Sequence, residues 1–471
     1  MIFNKLNTMR TFLKIFGAIL LLLFIVLVWA LERVDYSPYF DSDYYSKTRS
    51  RLDSISGELA EANGEVQVGF SRVSITPAIG ADADDIETGA FKEVPLAGFG
   101  SRKGSFAEGI HDSLFVKAVA LRVEEQLLVL IGSDMLIVPP NITAGVSRLV
   151  SEQLGLSRNQ LFFSATHTHS SVGAWSEGYV GEEFAGESNP NVELWLVRQF
   201  SRAIEDAVAD LQAGKIGSGS FNAPALISNR LVGEKGQTNS EFIYIAANQN
   251  SGKRALLGSF GAHATTLGGW NMQFSGDYPG FWQRKLESEG IDLALFFAGG
   301  VGSHSPRSQG EAYEKSKYMG EALADSVLKY MPDTELRDSI GLSFLTLGID
   351  LPEYHIRVSD GLRLNPRLAG KLFPPSGVVC LQTAKIGDLI WVSTPGDFSG
   401  EMAIDYKNAI NQEGYRAMVT SFNGAYVGYI IPGKYYHLDE YESRLMSWYG
   451  PNMGPYTHEM IRRMMNKLLT L

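Results

Sequence analysis

The sequence predicts a mixed α/β protein in which a single compact domain, residues 66–471, follows an N-terminal membrane anchor. Short apolar runs rich in aliphatic residues and separated by glycine predict strands, most clearly at 127–131 and 389–393. Longer segments with apolar residues on one face predict helices that flank mixed sheets. Residues 66–471 contain no internal repeat, low-complexity tract or linker, which favours one domain over several.

The N-terminal segment predicts a transmembrane signal anchor. A basic flank, residues 1–14, precedes residues 15–31, which carry no charge and are close to the shortest length that spans a bilayer. The basic flank favours a cytoplasmic N-terminus, with the rest of the chain across the membrane in a bacterial periplasm or cell envelope. A cleaved signal peptide is the alternative, since Val28–Ala30 resembles a cleavage site.

The segment that follows the anchor predicts a juxtamembrane stalk over residues 32–65. It begins polar and rich in tyrosine, and then shows a helical pattern over 46–62 with Leu52, Ile55 and Leu59 on one face. We expect this stalk to hold the domain away from the membrane.

The domain itself begins with strands and then alternates between the two element types. Further strands are predicted at 66–70 and 115–121. Apolar residues at helical spacing predict six helices: Asn141–Leu154, Pro190–Leu211, Gly280–Glu289, Glu311–Lys329, Gly400–Asn411 and Thr457–Leu469.

Composition excludes some classes of function. The net charge of −11 and the sequence pI of about 5.3 argue against a nucleic-acid partner, and no basic stripe or recognition motif is present. Cys380 is the only cysteine, so an intrachain disulfide is impossible.

The most informative motif is the pair His167 and His169, which closes an apolar run beginning at Leu161. If the strand continues through them, both side chains lie on one face, where two imidazoles can hold a divalent metal or divide metal binding and proton transfer. The chain has only 8 histidines, and His263 also follows a short apolar stretch. A metal site and a pair of hydrogen-bonded histidines are both compatible with this pattern.

Five segments together resemble the neutral/alkaline (non-lysosomal) ceramidases and occur in the order found in that family. They are Val68–Pro77, Gly109–His111, Ala165–Ser170, Ala298–Pro306 and Pro395–Ser399. The resemblance runs from about residue 66 to the end of the chain. It implies the catalytic N-terminal domain of the family, and we expect the usual C-terminal β-sandwich domain to be missing.

The resemblance also implies a zinc-dependent amidohydrolase that cleaves the N-acyl amide bond of ceramide or a related N-acyl lipid into a fatty acid and a sphingoid or other amine. His169 would deliver a proton to the departing amine, and Tyr441 and Arg230 would hold the developing oxyanion. Ser305 would contact the substrate. The implied zinc ligands are His167, His263, Asp397 and Tyr429.

Two departures from the family pattern leave other functions open. The acidic ligand of the family is glutamate, whereas this chain has Asp397, and an aspartate of the family is replaced in the Ser303-His304 pair. A binding protein of the cell envelope that has kept the fold but not catalysis is therefore one alternative. A metallophosphoesterase is another, although the Gly-Asn-His-Asp/Glu and early Asp-x-His motifs of that class are absent from the sequence.

Overall fold

The computed structural model describes residues 2–55, 59–374 and 376–470, with side chains described from residue 9 onward. In chain order, helices α1 to α10 are Ile2–Ala30, Asp43–Ile55, Pro140–Leu154, Tyr179–Ala185, Pro190–Ala209, Asp277–Ser288, Tyr313–Tyr330, Pro366–Leu372, Gly400–Gln412 and Met453–Leu469. The six helices predicted for the domain are confirmed as α3, α5, α6, α7, α9 and α10, with ends that differ by a few residues.

Strands make up most of the remaining regular structure. In chain order, β1 to β25 are Leu31–Arg33, Ala62–Ser74, Ala78–Ile79, Ala90–Phe91, Leu96–Gly98, Gly109–Ile110, Phe115–Val123, Gln126–Ser133, Leu161–Ala165, Ser170–Val172, Gln212–Asn222, Ile227–Asn229, Glu241–Gln249, Arg254–Phe260, Gln273–Phe274, Leu293–Ala298, His304–Pro306, Ser339–Gly348, Arg357–Ser359, Leu362–Leu364, Cys380–Ile386, Leu389–Ser393, Asp397–Phe398, Arg416–Thr420 and Tyr429–Ile430.

The largest sheet of the described residues has 12 strands in the order β16-β14-β13-β11-β2-β18-β21-β22-β24, and β7, β8 and β9 branch from β2. The branch arises because β2 is 13 residues long. Its first residues pair with β18, and residues 66–74 pair with β7. Three pairs are parallel (β8 with β9, β14 with β16, β22 with β24), whereas the other pairs of this sheet are antiparallel. The predicted mixed sheet is confirmed.

The sheet is buried on both faces. On β7, Val119 and Leu121 face a central core to which strands from all parts of the sheet contribute, while Ala118 and Ala120 face the core beneath α3 and α5. Helices α6 and α7 cover β14 and β16, and α9 and α10 cover β21, β22 and β24. Double burial explains why the strands appear in the sequence as continuous apolar runs rather than as alternating patterns.

The carboxyl ends of several central strands meet at one edge of the sheet. Gly299, directly after β16, donates its amide to Phe260 at the end of β14 (2.9 Å), and Ser421, after β24, donates to Ala298 (3.0 Å). Thr166, after β9, donates to Ser133 at the end of β8 (2.8 Å). In α/β proteins this edge is the usual position of a ligand site.

Helix α1 contains one segment, Met9–Ala30, whose 22 residues are apolar enough to cross a membrane by length and composition. No residue of this segment is buried, and a membrane anchor or a signal sequence would both have this character.

The segment expected to form a stalk packs on the domain instead. Helix α2 begins at Asp43 and buries Tyr45, Thr48 and Leu52 against the core that α10 covers. The hydroxyl of Tyr45 donates to Glu459 of α10 at 2.7 Å. The predicted apolar face of Leu52, Ile55 and Leu59 therefore packs against the core of the domain. Part of the predicted helix, residues 56–58, lies outside the described residues, and β2 already begins within the predicted stalk.

Candidate active site

His167 and His169 lie in the loop between β9 and β10, whereas the sequence placed them on the strand. His167 has a φ of 62°, a left-handed conformation that is uncommon for a residue with a side chain, and the chain bends there. Its Nδ1 lies 2.6 Å from the carbonyl oxygen of Leu136, and its ring stacks on Phe422 with centroids 4.2 Å apart. The bend, and not strand alternation, directs both imidazoles to one point.

Four predicted site residues meet at that point. His263 follows β14, and its Nε2 lies 2.9 Å from Nε2 of His167 and 2.9 Å from Nε2 of His169. The Nε2 atoms of His167 and His169 are 3.3 Å apart. Asp397, after β22, places Oδ1 3.3 Å from Nε2 of His167. The four residues are up to 230 positions apart in the sequence, and Asp397 is the first residue of the short strand β23.

The donors of this cluster fit a metal ion. Nδ1 of His167 donates to Leu136, and Nδ1 of His263 faces the carbonyl oxygen of Val301 at 3.4 Å, so both Nε2 atoms carry lone pairs. Adjacent lone pairs repel unless a cation lies between them. Tetrahedral zinc ligands at about 2.0–2.1 Å lie about 3.3 Å from each other, which is close to the observed separations. His167, His169 and His263 can therefore hold a metal ion.

Burial disfavours protonation of two of the three histidines, His169 and His263. It lowers the pKa of His169 and of His263 well below the usual value for imidazole, and neighbouring imidazoles and Arg230 act in the same direction. Neutral imidazole is the form that binds a metal.

Asp397 is fully buried and only partly satisfied. The hydroxyl of Tyr426 donates to Oδ2 at 2.8 Å, whereas Oδ1 has no hydrogen-bond partner among the described residues. A buried carboxylate oxygen without a hydrogen-bond partner is costly, and coordination to a metal ion would satisfy it. Close packing fixes the loop, because a Cβ on Gly302 would lie 2.2 Å from the backbone oxygen of Asp397.

Tyr429, Tyr441 and Arg230 also lie at the site. Nη2 of Arg230 donates to the Tyr429 hydroxyl oxygen at 3.0 Å, and Nε donates to Glu442 at 2.5 Å. The rings of Tyr429 and Tyr441 meet edge to face, 5.9 Å apart. Burial raises the pKa of both tyrosines, that of Tyr441 to about 12, while Arg230 opposes the rise. Arg230 therefore contacts the site through the hydroxyl of Tyr429.

The structure does not bring Ser305 to this cluster. It lies on β17, paired with Ser228 of β12, and is not among the described residues that line the cleft. His304, the other departure from the family pattern, is buried, accepts a hydrogen bond from the Asn239 amide at 3.0 Å and contacts Ser303 at 2.9 Å. Burial lowers the pKa of His304 to about 4, so the residue is a neutral part of the packing between Asn239 and Ser303.

Three residues at the site were not found by sequence reasoning. Tyr426 holds Asp397, Glu442 holds Arg230, and Phe422 stacks on His167. No sequence motif identifies these residues, because each contacts a partner that is distant in the sequence. Tyr426 also lies in a segment with several other tyrosines, so its residue type alone does not single it out.

His167, His169 and Asp397 of the cluster line an apolar cleft whose empty volume is about 900 Å³, open solvent at its mouth included. His167, His169, Asp397, Tyr429 and Tyr441 supply its polar groups. An apolar cleft with a few convergent polar groups is typical of a site for a largely apolar ligand. Its apolar walls include Leu136, Trp175, Val180, Phe184, Met446 and Trp448.

Comparisons with known proteins agree with this arrangement. Residues 78–232, which contain both histidines of the motif, match the family described as neutral/alkaline non-lysosomal ceramidase, N-terminal. The predicted resemblance to this family is confirmed.

Solved structures share the fold. A crystal structure of neutral ceramidase from Pseudomonas aeruginosa has a TM-score of 0.71 and 18% identity, and the match covers 86% of this chain and 75% of that one. A ceramidase complexed with C2 gives a TM-score of 0.71, 17% identity and the same coverage. At these identities the likeness concerns the fold. A search of the curated proteins finds no match.

Proposed function

We propose that this protein is a zinc-dependent amidohydrolase that cleaves the N-acyl amide bond of ceramide or a related N-acyl lipid. The observation that supports this function best is the convergence of three imidazoles and a buried carboxylate, of which His167, His169 and Asp397 line an apolar cleft. Two comparisons are consistent with this function: residues 78–232 match the neutral ceramidase family, and the fold is similar to that of a ceramidase complexed with C2.

His167, His263 and Asp397 would hold the zinc, with Tyr429 as a fourth ligand. Metal-binding histidines usually donate their other ring nitrogen to a neighbouring acceptor, which fixes the ring. His167 and His263 do so through Leu136 and Val301. Bound zinc would polarise the amide carbonyl and make a water molecule more acidic.

His169 would transfer the proton that the departing amine needs. Its Nδ1 has no hydrogen-bond partner among the described residues, its ring is less buried than that of His167 or His263, and it lines the cleft. As water oxygen bonds to the carbonyl carbon and the C–N bond breaks, His169 would move a proton from that water to the amine nitrogen.

Tyr441 would donate its hydroxyl to the carbonyl oxygen, since it lines the cleft beside Tyr429. Arg230, which the sequence assigned to the same oxyanion, contacts Tyr429 and Glu442, so we assign it a positioning role through Tyr429. The acyl chain would lie along the apolar walls of the cleft, where water is excluded.

The first test is metal content and turnover of the full chain purified in detergent. We expect about one zinc per chain by elemental analysis, and release of fatty acid from a panel of N-acyl lipids. His263→Ala should lose both, whereas the control His437→Ala, at an exposed histidine, should keep both. Wild-type protein without zinc, or full zinc occupancy in His263→Ala, would contradict the site.

The same panel of N-acyl lipids, extended by phosphate esters, separates the alternatives. Zinc and lipid binding without any fatty acid release would favour an envelope binding protein, the alternative that Asp397 in place of glutamate keeps open. Hydrolysis of phosphate esters in place of N-acyl lipids would favour a metallophosphoesterase.

We also propose that residues 15–31 form an uncleaved anchor, with the flank 1–14 in the cytoplasm and the domain on the other side, in a bacterial periplasm or envelope. The exposed apolar helix supports this topology. The mass of the mature chain tests cleavage, and protease accessibility in spheroplasts tests the side. A mature chain that begins after Ala30 would contradict the anchor.

A further inference from the structure

Helix α1 is joined to the domain without a flexible connection. Residues Leu31–Arg33, directly after the helix, form β1 and pair with β20 over its whole length. The amide of Asn365 donates to the carbonyl oxygen of Ala30 at 2.8 Å, and its side chain donates to Glu32 at 2.6 Å. These bonds fix the end of α1 to the point where β20 ends and α8 begins.

From this point α8 leads to the wall of the cleft. The side chain of Asn365 caps α8, whose seven residues advance about 10 Å. Phe373, directly after α8, packs on Trp448 with ring centroids 5.1 Å apart, and Pro374 and Trp448 both line the cleft. Helix α8 therefore connects the end of α1 to the wall of the cleft.

A second connection leads to the mouth of the cleft. β20 pairs with β19, and Arg444 donates to the carbonyl oxygen of Val358 in β19 at 3.2 Å. Arg444 lies in the single π-helical turn Tyr441–Leu445, whose first residue lines the cleft. The strands that hold α1 thus also contact the segment that carries Tyr441.

Apolar side chains are exposed on these connecting elements. Val358 and Leu362 of the hairpin are 48% and 38% exposed, and Tyr441 and Leu445 of the π-helical turn are 44% and 58% exposed. We call these four residues the anchor-side face. Singly exposed apolar residues are common, but a group beside an exposed apolar helix of membrane length is not.

Charged residues of both signs surround this face. Arg33, Arg367 and Lys371 are exposed, and so are Asp360 and Asp439. An apolar group with a charged border fits the interfacial region of a bilayer, where apolar side chains enter the acyl boundary and charged side chains remain among the headgroups.

We propose that the anchor-side face contacts the lipid bilayer and that α1 holds the domain in this orientation, with the cleft open towards the lipid. An acyl chain would then pass from the bilayer into the apolar cleft without crossing water. The entry of an N-acyl lipid rests on the proposed function, whereas the contact with the bilayer does not.

The test uses an environment-sensitive fluorophore on single cysteines of the full chain. Cys380, the only native cysteine, is buried, so labelling is directed to the introduced residue. Leu445→Cys and Val358→Cys report the face, and Leu194→Cys, 45% exposed on α5, is the matched control.

In vesicles of phosphatidylcholine and phosphatidylglycerol, we expect labels at 445 and 358 to shift to shorter emission wavelengths. Lipids that carry a quencher in the acyl region should quench them, while the label at 194 remains as in water. Labels at 445 and 358 that behave like the label at 194 would overturn the proposal.

A double variant tests the role of the connection at the end of α1 separately from that of the anchor-side face. Glu32→Ala with Asn365→Ala removes the side-chain bonds at the end of α1, and the emission shift at 445 should decrease although α1 still anchors the chain. An unchanged shift would overturn the orienting role of this connection. Equal thermal unfolding midpoints of this variant and the wild type would exclude a general loss of structure.

Turnover distinguishes this proposal from the proposed function. Leu445→Glu with Val358→Glu should lose most hydrolysis of vesicle-resident N-acyl lipid but keep hydrolysis of detergent-dispersed lipid, and Leu194→Glu should keep both. If no variant or wild type hydrolyses any N-acyl lipid while the labels enter the bilayer, the proposed function fails and the face stands. If hydrolysis persists while the labels stay in water, the face fails.

Discussion

Tyr426→Phe is the substitution that most directly tests how Asp397 is held. The hydroxyl of Tyr426 donates to Oδ2 of Asp397 at 2.8 Å, and this is the hydrogen bond that orients the unpartnered Oδ1 towards the imidazoles. Aspartate is one methylene shorter than the glutamate of the resembling family, so its reach depends on this orientation.

The expected magnitude follows from the type of bond. A hydrogen bond to a charged group contributes about 1.5–3 kcal/mol to stability, and its loss leaves Oδ2 of Asp397 buried without a partner. Removal of a residue that orients a metal ligand lowers metal affinity by about 10–100-fold. Tyr426→Phe should therefore lower both the free energy of unfolding and the affinity for zinc.

Zinc affinity is measured by competition with a chelator, and stability by urea unfolding of the chelated protein. The control is Tyr449→Phe, which removes a hydroxyl bonded to Ser376 at 2.6 Å. This control should lose stability without losing zinc affinity. Equal zinc affinities in Tyr426→Phe and Tyr449→Phe would refute the positioning role of Tyr426.

Three further substitutions test the remaining assignments. His169→Ala should keep zinc by elemental analysis and lose turnover by about 10²–10⁴-fold; loss of zinc would instead make His169 a ligand. Asp397→Asn should weaken zinc in the chelator assay because a charged donor is lost, and an unchanged affinity would show that residue 397 does not bind the metal. Leu52→Ala, at a side chain of α2 with 0% exposure, should destabilise the protein by about 2–5 kcal/mol in urea unfolding. A change near zero there would contradict the packing of α2 on the domain.

The packing of α2 also determines how the anchor can be removed. A truncation at residue 64 would delete Tyr45, Thr48 and Leu52 from the core that α10 covers. A truncation after Ala30 keeps these contacts, so it is the one that isolates the effect of the membrane helix.

Helices and strands could be predicted because their signals are local. The helical spacing of apolar residues locates α5 and α7, and the double burial of β8 and β22 produces runs that are recognised without any knowledge of their partners. The pairing of β2 with β18 in addition to β7 could not be predicted, since the paired residues of β2 and β18 are more than 270 positions apart.

At the site, the sequence indicated His167, His263 and Asp397 because each follows an apolar run or belongs to a family motif. The prediction that strand alternation places His167 and His169 on one face was wrong. The strand ends at Ala165, and the left-handed conformation of His167 bends the chain instead. The sequence also assigned Ser305 to the substrate, while the structure pairs this residue with Ser228 on a separate two-stranded ribbon.

By itself the sequence determined the element types, the apolar N-terminal helix and the chemical identity of the polar groups, because these are properties of residues and their near neighbours. The tertiary structure decided that three imidazoles meet within 3.3 Å, that Tyr426 and Glu442 hold their neighbours in place, and that the end of α1 is fixed beside the cleft. These features are contacts between residues far apart in the chain, and only the packing of the sheet brings such residues together.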